Sequence, residues 1–216
     1  MNKEALRLSF RNRIYLPLTC KFRRKRIRND KFTIISNNCW GGTVYESYGL
    51  MKNTPTVGLF FAPEDFLKFI KNMKYYLSQE MHFIQAKESK LWELKKNSPV
   101  FGTYPIGVLD DVEIHFLHYH SDEEAIDKWS RRSKRIIWDK ILYKFNDQNG
   151  CTPEMIKEFA ELNIKNKVCF TILDGFENYD CVYRINNCPN PKYVLASYEP
   201  FGSSRIVNIN SIINAL

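Results

Sequence analysis

The pattern of apolar and polar residues predicts short strands alternating with helices. Apolar, β-branched runs bounded by turn residues predict buried strands. These runs lie at 32–35, 57–61, 141–145 and 168–173. Apolar residues at helical spacing predict a helix over 63–77, with Pro63 at its first position. Strand, helix, strand and helix over 32–78 therefore predict right-handed parallel crossovers.

The middle and end of the chain add a hairpin and further helices. Strands at 106–109 and 112–119 are joined by Asp110 and Asp111, which predicts a hairpin. Ser121 and Glu124 form a capping box that opens a helix to about Trp138. Together these elements predict one α/β domain over 29–216. We expect a three-layer α/β/α sandwich with a mostly parallel, Rossmann-like sheet and an inserted or edge hairpin.

A polar, glycine-containing turn at 36–42 follows the first predicted strand and precedes a predicted helix. Exposed N–H groups at a helix N-terminus favour bound anions. The sequence therefore predicts a pocket for a phosphate, a carboxylate or an oxyanion. Its predicted ligand-binding residues are Ser36, Asn37, Asn38, Trp40, Gly41 and Gly42. The turn lacks GxGxxG and GxxxxGK[ST], so a dinucleotide or P-loop site is not predicted. The alternative is a tight turn that needs only glycines and a cap.

Three side chains are candidates for catalysis. Cys39 lies at the predicted helix N-terminus, which lowers a thiol pKa, although a buried cysteine is often only an apolar filler. His118, at the carboxyl end of the 112–119 strand, is a candidate general base. Asp65 or Glu64, at the end of the second predicted strand, is its candidate partner. Strand alternation places His115 on the face opposite to His118, so no metal site is predicted.

Arginines crowd the last turns of the helix that begins after Ser121. They are Arg131, Arg132 and Arg135. Cations at a helix C-terminus complement its dipole, which is the default interpretation. A phosphate clamp is the alternative.

The positive charge of the chain is concentrated at its N-terminus. The net charge is +8, and residues 1–28 hold ten Lys or Arg against one Glu. Leu6, Phe10 and Ile14 recur there at helical spacing. This basic, amphipathic arm predicts contact with an anionic membrane surface. A helix docked on its own domain is the alternative. Nucleic-acid binding is not favoured, because the rest of the chain is close to neutral and carries no such motif.

Cysteine spacing and hydropathy indicate the compartment. The six cysteines form no CxxC pair, which argues against a zinc ribbon. They are interpreted as reduced thiols in the cytosol. No apolar run is long enough to span a bilayer, and positive charge follows rather than precedes the apolar patch at 14–20, unlike a signal peptide. We expect a cytoplasmic protein, with the arm placing it peripherally at the inner face of the membrane.

Several of these segments together resemble an uncharacterised bacterial domain family. The resemblance covers most of 30–210. It is carried by ISNNCWGG at 35–42, PT at 55–56 with GLF at 58–60, YPIG at 104–107, HFLHY at 115–119 and the helix at 123–136. Members are often labelled exopolysaccharide biosynthesis proteins, and the resemblance implies a three-layer α/β sandwich in bacterial polysaccharide assembly. The first motif is also loosely similar to a Gly-Asn-Cys turn of a capsule-synthesis family that binds coenzyme A, but Trp-Gly-Gly follows here.

These observations predict a transferase-type enzyme of surface-polysaccharide synthesis. Its donor would carry phosphate, as a sugar nucleotide or an acyl-coenzyme A, held at the 37–42 turn. The alternative is a non-catalytic accessory protein that binds a saccharide or a partner at the membrane. A nucleic-acid-binding protein that uses the basic arm is a third and weaker hypothesis.

Overall fold

The computed structural model describes residues 3–216, except for the side chains of Glu4, Ala5 and Asn12. Residues 1 and 2 of the predicted arm lie outside this part. The helices are α1 (Lys3–Phe10), α2 (Leu16–Arg24), α3 (Trp40–Tyr48), α4 (Pro63–Lys71), α5 (Met73–Ser78), α6 (Trp92–Lys95), α7 (Asp122–Ser133), α8 (Pro153–Glu161) and α9 (Ile209–Ala215). The strands are β1 (Thr33–Ser36), β2 (Met81–Ile84), β3 (Ile106–Leu109), β4 (Val112–His115), β5 (Ile141–Asn146), β6 (Lys167–Thr171) and β7 (Val182–Arg184).

Four strands form a parallel sheet in the order β1-β5-β6-β7. Ile34 and Ile35 of β1 point to opposite faces of this sheet, and each belongs to a different hydrophobic cluster. Helices α4, α7 and α8 contribute to the Ile35 cluster, and α3 and α9 contribute to the Ile34 cluster. The prediction of an α/β fold with a mostly parallel sheet is therefore confirmed.

The predicted hairpin exists and belongs to a second sheet. Strands β2, β3 and β4 form an antiparallel sheet, and the hairpin between β3 and β4 turns at Asp110, whose φ is 55°. Strand β4 ends at His115, so the predicted strand over 112–119 is too long. His118 therefore lies in a turn rather than on a strand.

The predicted strand at 57–61 is wrong, and so is the parallel crossover that depended on it. Gly58 has a φ of 72°, which interrupts an extended segment. Only an isolated antiparallel bridge forms here, between Phe60 and His115. The neighbour of β1 is instead β5, which follows it by about a hundred residues. The intervening chain carries the second sheet, an arrangement that local patterns cannot reveal.

Two predicted helices differ in extent from those in the structure. The helix over 63–77 is divided at Asn72, which has φ −138° and ψ 48°. Helix α7 ends at Ser133 rather than near Trp138. Its Ser121 cap is confirmed, because the Ser121 side chain accepts from the backbone N–H of Glu124.

The N-terminal segment is helical and packs on the domain. A π-helical stretch, Arg11–Tyr15, joins α1 to α2. Leu16 is buried, and the Arg7 guanidinium lies 4.0 Å from the centre of the Tyr198 ring. Arg23 donates to the backbone carbonyl of Ser47. Over residues 3–216, no helix is both long enough and apolar enough to cross a membrane.

Candidate functional site

The predicted anion turn lies at the carboxyl end of β1, but its amides have partners inside the protein. The backbone N–H of Trp40 donates to Oδ1 of Asn38 at 3.1 Å. The N–H of Gly41 donates to Oγ of Ser36 at 3.2 Å. Both donors are committed to local caps, so the predicted role of these two amides in holding an anion is wrong.

The two glycines of the turn have a packing role. A Cβ on Gly41 would lie 3.0 Å from Oγ of Ser36 and 3.1 Å from Cγ2 of Ile34. A Cβ on Gly42 would lie 3.1 Å from Cγ1 of Val57. These distances are tighter than ordinary contacts, so glycine lets α3 pack closely on β1 and on the 57–61 segment.

A buried polar network surrounds Asn38. The ammonium of Lys144, in the middle of β5, forms a fully buried ion pair with Glu199. Lys144 also donates to Oδ1 of Asn38 at 2.9 Å, and Nδ2 of Asn38 donates to Glu199 at 3.0 Å. Burial lowers the pKa of Lys144, and the attraction of Glu199 opposes that shift.

Asn37 and Asn146 extend this network along the carboxyl ends of β1 and β5. Nδ2 of Asn37 donates to Oδ1 of Asn146 at 2.8 Å, and Nδ2 of Asn146 donates to Glu199 at 2.8 Å. Ser36 and Asn37 are fully buried. Asn37 and Asn38 therefore connect β1 and β5 to the loop that carries Glu199.

A cavity of about 840 Å³ opens beside this network. Of the predicted ligand-binding residues it is lined by Asn38, Trp40 and Gly42, whereas Ser36, Asn37 and Gly41 are not part of its wall. Gln148, which follows β5, also lines it. The cavity thus lies at the carboxyl ends of parallel strands, where ligands bind in open α/β sheets.

Cations project into the cavity from several elements. Lys95 donates to Oδ1 of Asn149 at 2.7 Å, and burial lowers its pKa. Arg132 donates to the hydroxyl of Tyr119 at 2.7 Å. Among the side chains described over residues 3–216, neither cation forms an ion pair with a carboxylate. By contrast, the lining residue Lys128 is ion-paired with Glu124.

Aromatic rings also line the cavity. Phe60, Phe101 and Tyr104 line the cavity. Phe60 and Phe101 each pack edge to face with Tyr104, with ring centres about 6 Å apart. Lys95 lies 5.7 Å from the centre of the Phe60 ring. A wall of aromatic faces beside unneutralised cations suits a ligand that carries both a ring and negative charge.

His118 lines the cavity, as a general base would need to. Burial lowers the pKa of its imidazole, while the carboxylate of Glu46 opposes this shift. The neutral form therefore prevails at neutral pH, and a neutral imidazole can accept a proton.

Cys39 also lines the cavity but does not have the electrostatics of a nucleophile. Its Sγ donates to the carbonyl of Leu59 at 3.6 Å. Burial raises the pKa of this thiol to about 12, and the charge of Glu199 adds to the effect. The lowered pKa predicted from the helix N-terminus is wrong, because desolvation outweighs the dipole.

Cys39 is expected to resist alkylation in the native protein. A thiol pKa raised from 9.0 to about 12 leaves roughly a thousandth of the usual thiolate at about pH 8. Because a thiolate of higher pKa is also more nucleophilic, iodoacetamide should label Cys39 at least about ten times more slowly in native protein than in urea, as followed by peptide mass spectrometry. Labelling at the same rate in both states would restore Cys39 as a candidate nucleophile.

Asp65 lies in the first turn of α4, within the predicted helix, but the described residues 57–62 just before that helix form no strand, and neither Asp65 nor Glu64 is part of the cavity wall. The buried carboxylate of Asp65 accepts from the backbone N–H of Glu113 at 3.0 Å and pairs with Lys90 at 2.8 Å. Burial raises the pKa of Asp65. These contacts join α4, the segment before α6, and β4, so its predicted role as partner of His118 is not supported. His115, also fully buried, stacks on Phe60 at 4.5 Å.

Sequence patterns missed Lys95, Lys144 and Glu199. The sequence does contain an indication of Lys144, because this lysine interrupts the apolar run of β5. A lysine inside a buried strand requires a partner. Lys95 and Glu199 lie in segments without periodicity. Of the three arginines named for the alternative phosphate clamp, Arg132 lines the cavity, whereas Arg131 and Arg135 do not.

The fold and the cavity define an α/β domain with a ligand-sized site at the carboxyl ends of its parallel strands. Residues 11–212 match the family described as Domain of unknown function (DUF1919), and the chain belongs to that family. It is also similar to a protein of Haemophilus influenzae described as an uncharacterized protein. The two are 35% identical over 161 residues, which cover 74% of this chain and 70% of the relative.

Proposed function

We propose that the protein is a transferase-type enzyme of bacterial surface-polysaccharide synthesis that binds a phosphate-bearing sugar donor in this cavity. The observation that carries the proposal is the pair of half-buried cations, Lys95 and Arg132, in a ligand-sized space with an aromatic wall. The polysaccharide context comes from the resemblance to proteins labelled exopolysaccharide biosynthesis proteins. The expected location is the cytoplasm, where activated sugar donors are made.

The cations favour an anionic ligand because their charge is only partly solvated. A buried or half-buried cation without a counter-ion loses hydration that an incoming anion restores. Lys95 and Arg132 would hold the donor phosphates, and Arg132 suits bidentate binding of phosphate oxygens. Phe101 and Tyr104 would contact the base or the sugar ring.

His118 supplies the acid–base chemistry in this proposal. Its neutral imidazole would take the proton from the acceptor hydroxyl as that oxygen bonds to the sugar carbon. The bond from that carbon to the phosphate oxygen breaks, and the nucleoside diphosphate leaves with the electron pair. The positive charges of Lys95 and Arg132 would stabilise the leaving phosphate.

Neutralising the two cations is expected to weaken donor binding by about 10-fold or more per residue, because each charged hydrogen bond contributes roughly 1.5–3 kcal/mol. Lys95→Gln and Arg132→Gln are compared with Lys96→Gln and Arg131→Gln, adjacent exposed residues that are ion-paired outside the cavity. A thermal-shift panel of sugar nucleotides, acyl-coenzyme A and oligosaccharides identifies the ligand, and calorimetry measures its affinity.

Each outcome distinguishes the hypotheses. Equal losses in the cavity variants and their controls, or stabilisation by no nucleotide sugar, would refute the donor site. Release of nucleoside diphosphate that His118→Gln abolishes, with binding retained, supports the transferase. Stabilisation by oligosaccharides alone would support the non-catalytic accessory protein instead.

A further inference from the structure

The N-terminal helical segment, residues 3–24, presents an apolar stripe to solvent. Its members are large and exposed, with Leu18 71% and Phe22 70% exposed. The stripe consists of Leu6, Phe10, Ile14, Leu18 and Phe22. Five exposed apolar side chains in one row exceed the scattered exposure that is normal on a monomer surface.

The π-helical stretch keeps this stripe on one face. The stripe residues are spaced by four, slightly more than the 3.6 residues of an α-helical turn, so the row would drift around a long α-helix. The wider turn of Arg11–Tyr15, with its i to i+5 bonding, takes up more residues and offsets that drift. The stripe therefore remains continuous from α1 into α2.

The opposite face of the same segment is held against the domain. Leu16 is buried there and Arg23 stacks over Phe201 at 5.1 Å, while Arg7, which flanks the stripe, lies over the Tyr198 ring. This anchoring fixes the orientation of the helix. The stripe consequently points outward as a fixed surface.

Exposed cations border the stripe and continue beyond it. They are Lys3, Arg13, Lys21, Lys25, Arg26 and Arg28. None of these six forms an ion pair with any acidic side chain that the structure describes. Nearby Arg24, by comparison, is paired with Asp30 at 2.6 Å. The border thus carries uncompensated positive charge around an apolar centre.

We propose that this face, the apolar stripe with its cationic border, binds the surface of an anionic lipid bilayer. The five apolar side chains would enter the boundary between headgroups and acyl chains, and the cations would contact lipid phosphates. An amphipathic helix with Phe and Leu on one side and Lys and Arg beside them is typical of interfacial binding.

Charge complementarity favours a bilayer over the other possible occupants. A second copy of the chain would bring two cationic borders together, because a two-fold interface pairs each patch with itself. A nucleic acid would use the cations but leave the apolar stripe in water. An anionic bilayer satisfies both features.

The same helical segment also lines the cavity through Leu8 and Arg11. Bilayer binding would therefore place the cavity next to the membrane. If the proposed function holds, this position suits an acceptor sugar carried on a lipid.

The test is flotation of the full chain with vesicles. Phosphatidylcholine vesicles are compared with vesicles of equal amounts of phosphatidylcholine and phosphatidylglycerol. We expect binding to the anionic vesicles, weakened roughly 100-fold in the Phe10→Ser/Leu18→Ser/Phe22→Ser variant. The matched control, Met51→Ser/Leu94→Ser/Ile126→Ser, removes exposed apolar side chains elsewhere and should bind as the parent does.

The charged border is tested separately. Lys21→Gln/Lys25→Gln should weaken vesicle binding by roughly 5-fold per charge. Absence of flotation, or equal flotation of the serine variant and its control, would overturn the proposal. The proposal would also be overturned if the parent protein is a dimer that the serine variant converts to a monomer. Binding to DNA that depends on these cations, without flotation, would overturn it as well. Thermal shifts with nucleotide sugars, expected to be unchanged in the serine variant, separate this result from the fate of the proposed function.

Discussion

Replacing Lys144 by methionine is expected to lower the free energy of unfolding by about 3–5 kcal/mol. The Lys144 and Glu199 side chains are 0% and 1% exposed, so the substitution leaves a carboxylate buried without its counter-charge. Asn38 and Asn146 still donate to Glu199, but amides do not neutralise it. Urea unfolding followed by circular dichroism measures the change.

A double variant that also changes Glu199, the partner of Lys144, provides the control. Lys144→Met/Glu199→Gln removes the orphaned charge while keeping an acceptor for the two asparagines, so it should recover most of the lost stability. Lys71→Met breaks an exposed pair with Glu158 and should cost no more than about 1 kcal/mol. A double variant as unstable as Lys144→Met would contradict the charge argument.

Asn38→Leu is expected to destabilise the protein by about 3 kcal/mol. The side chain accepts from Lys144 and from the backbone N–H of Trp40, and it donates to Glu199. Leucine has a similar size but cannot form hydrogen bonds, so Lys144, the Trp40 N–H and Glu199 each lose one hydrogen-bond partner. The measurement is the urea midpoint together with the slope, which shows whether the transition remains cooperative.

Asn97→Leu is the matched control, because Asn97 is exposed and the change should stay within about 0.5 kcal/mol. An Asn38→Leu variant with parent stability but no thermal shift with nucleotide sugars would contradict the structural role. That outcome would return Asn38 to the direct ligand contact predicted from the sequence.

These two predictions separate two roles within one motif. Asn37 and Asn38 connect strands β1 and β5 to the Glu199 loop, Ser36 caps the N–H of Gly41, and the glycines allow α3 to approach β1. Lys95 and Arg132, the cavity cations to which the proposal assigns the donor phosphates, lie outside the motif. Loss of ligand binding after a change in the motif would therefore need a stability measurement before Asn38 or Trp40 is assigned to the ligand.

The sequence by itself determined the α/β class, strand β1, the β3–β4 hairpin and the Ser121 cap. These features depend on local periodicity, turn residues and caps, which act over a few residues. It also indicated the 36–42 turn, four of whose residues line the cavity, because ligands in open α/β sheets bind at the carboxyl ends of strands. The segment at 57–61 has the composition of a strand, and the sequence alone could not show that it forms only an isolated bridge.

Only the tertiary structure decided that β5 is the neighbour of β1, and that Lys144 meets Glu199 across 55 residues of chain. It also decided that the Cys39 thiol is desolvated, and that Lys95 and Arg132 reach one cavity. The physical reason is common to all of these. Pairing, desolvation and electrostatic potential depend on which distant segments are packed together, and a local pattern of residues carries no information about that distance.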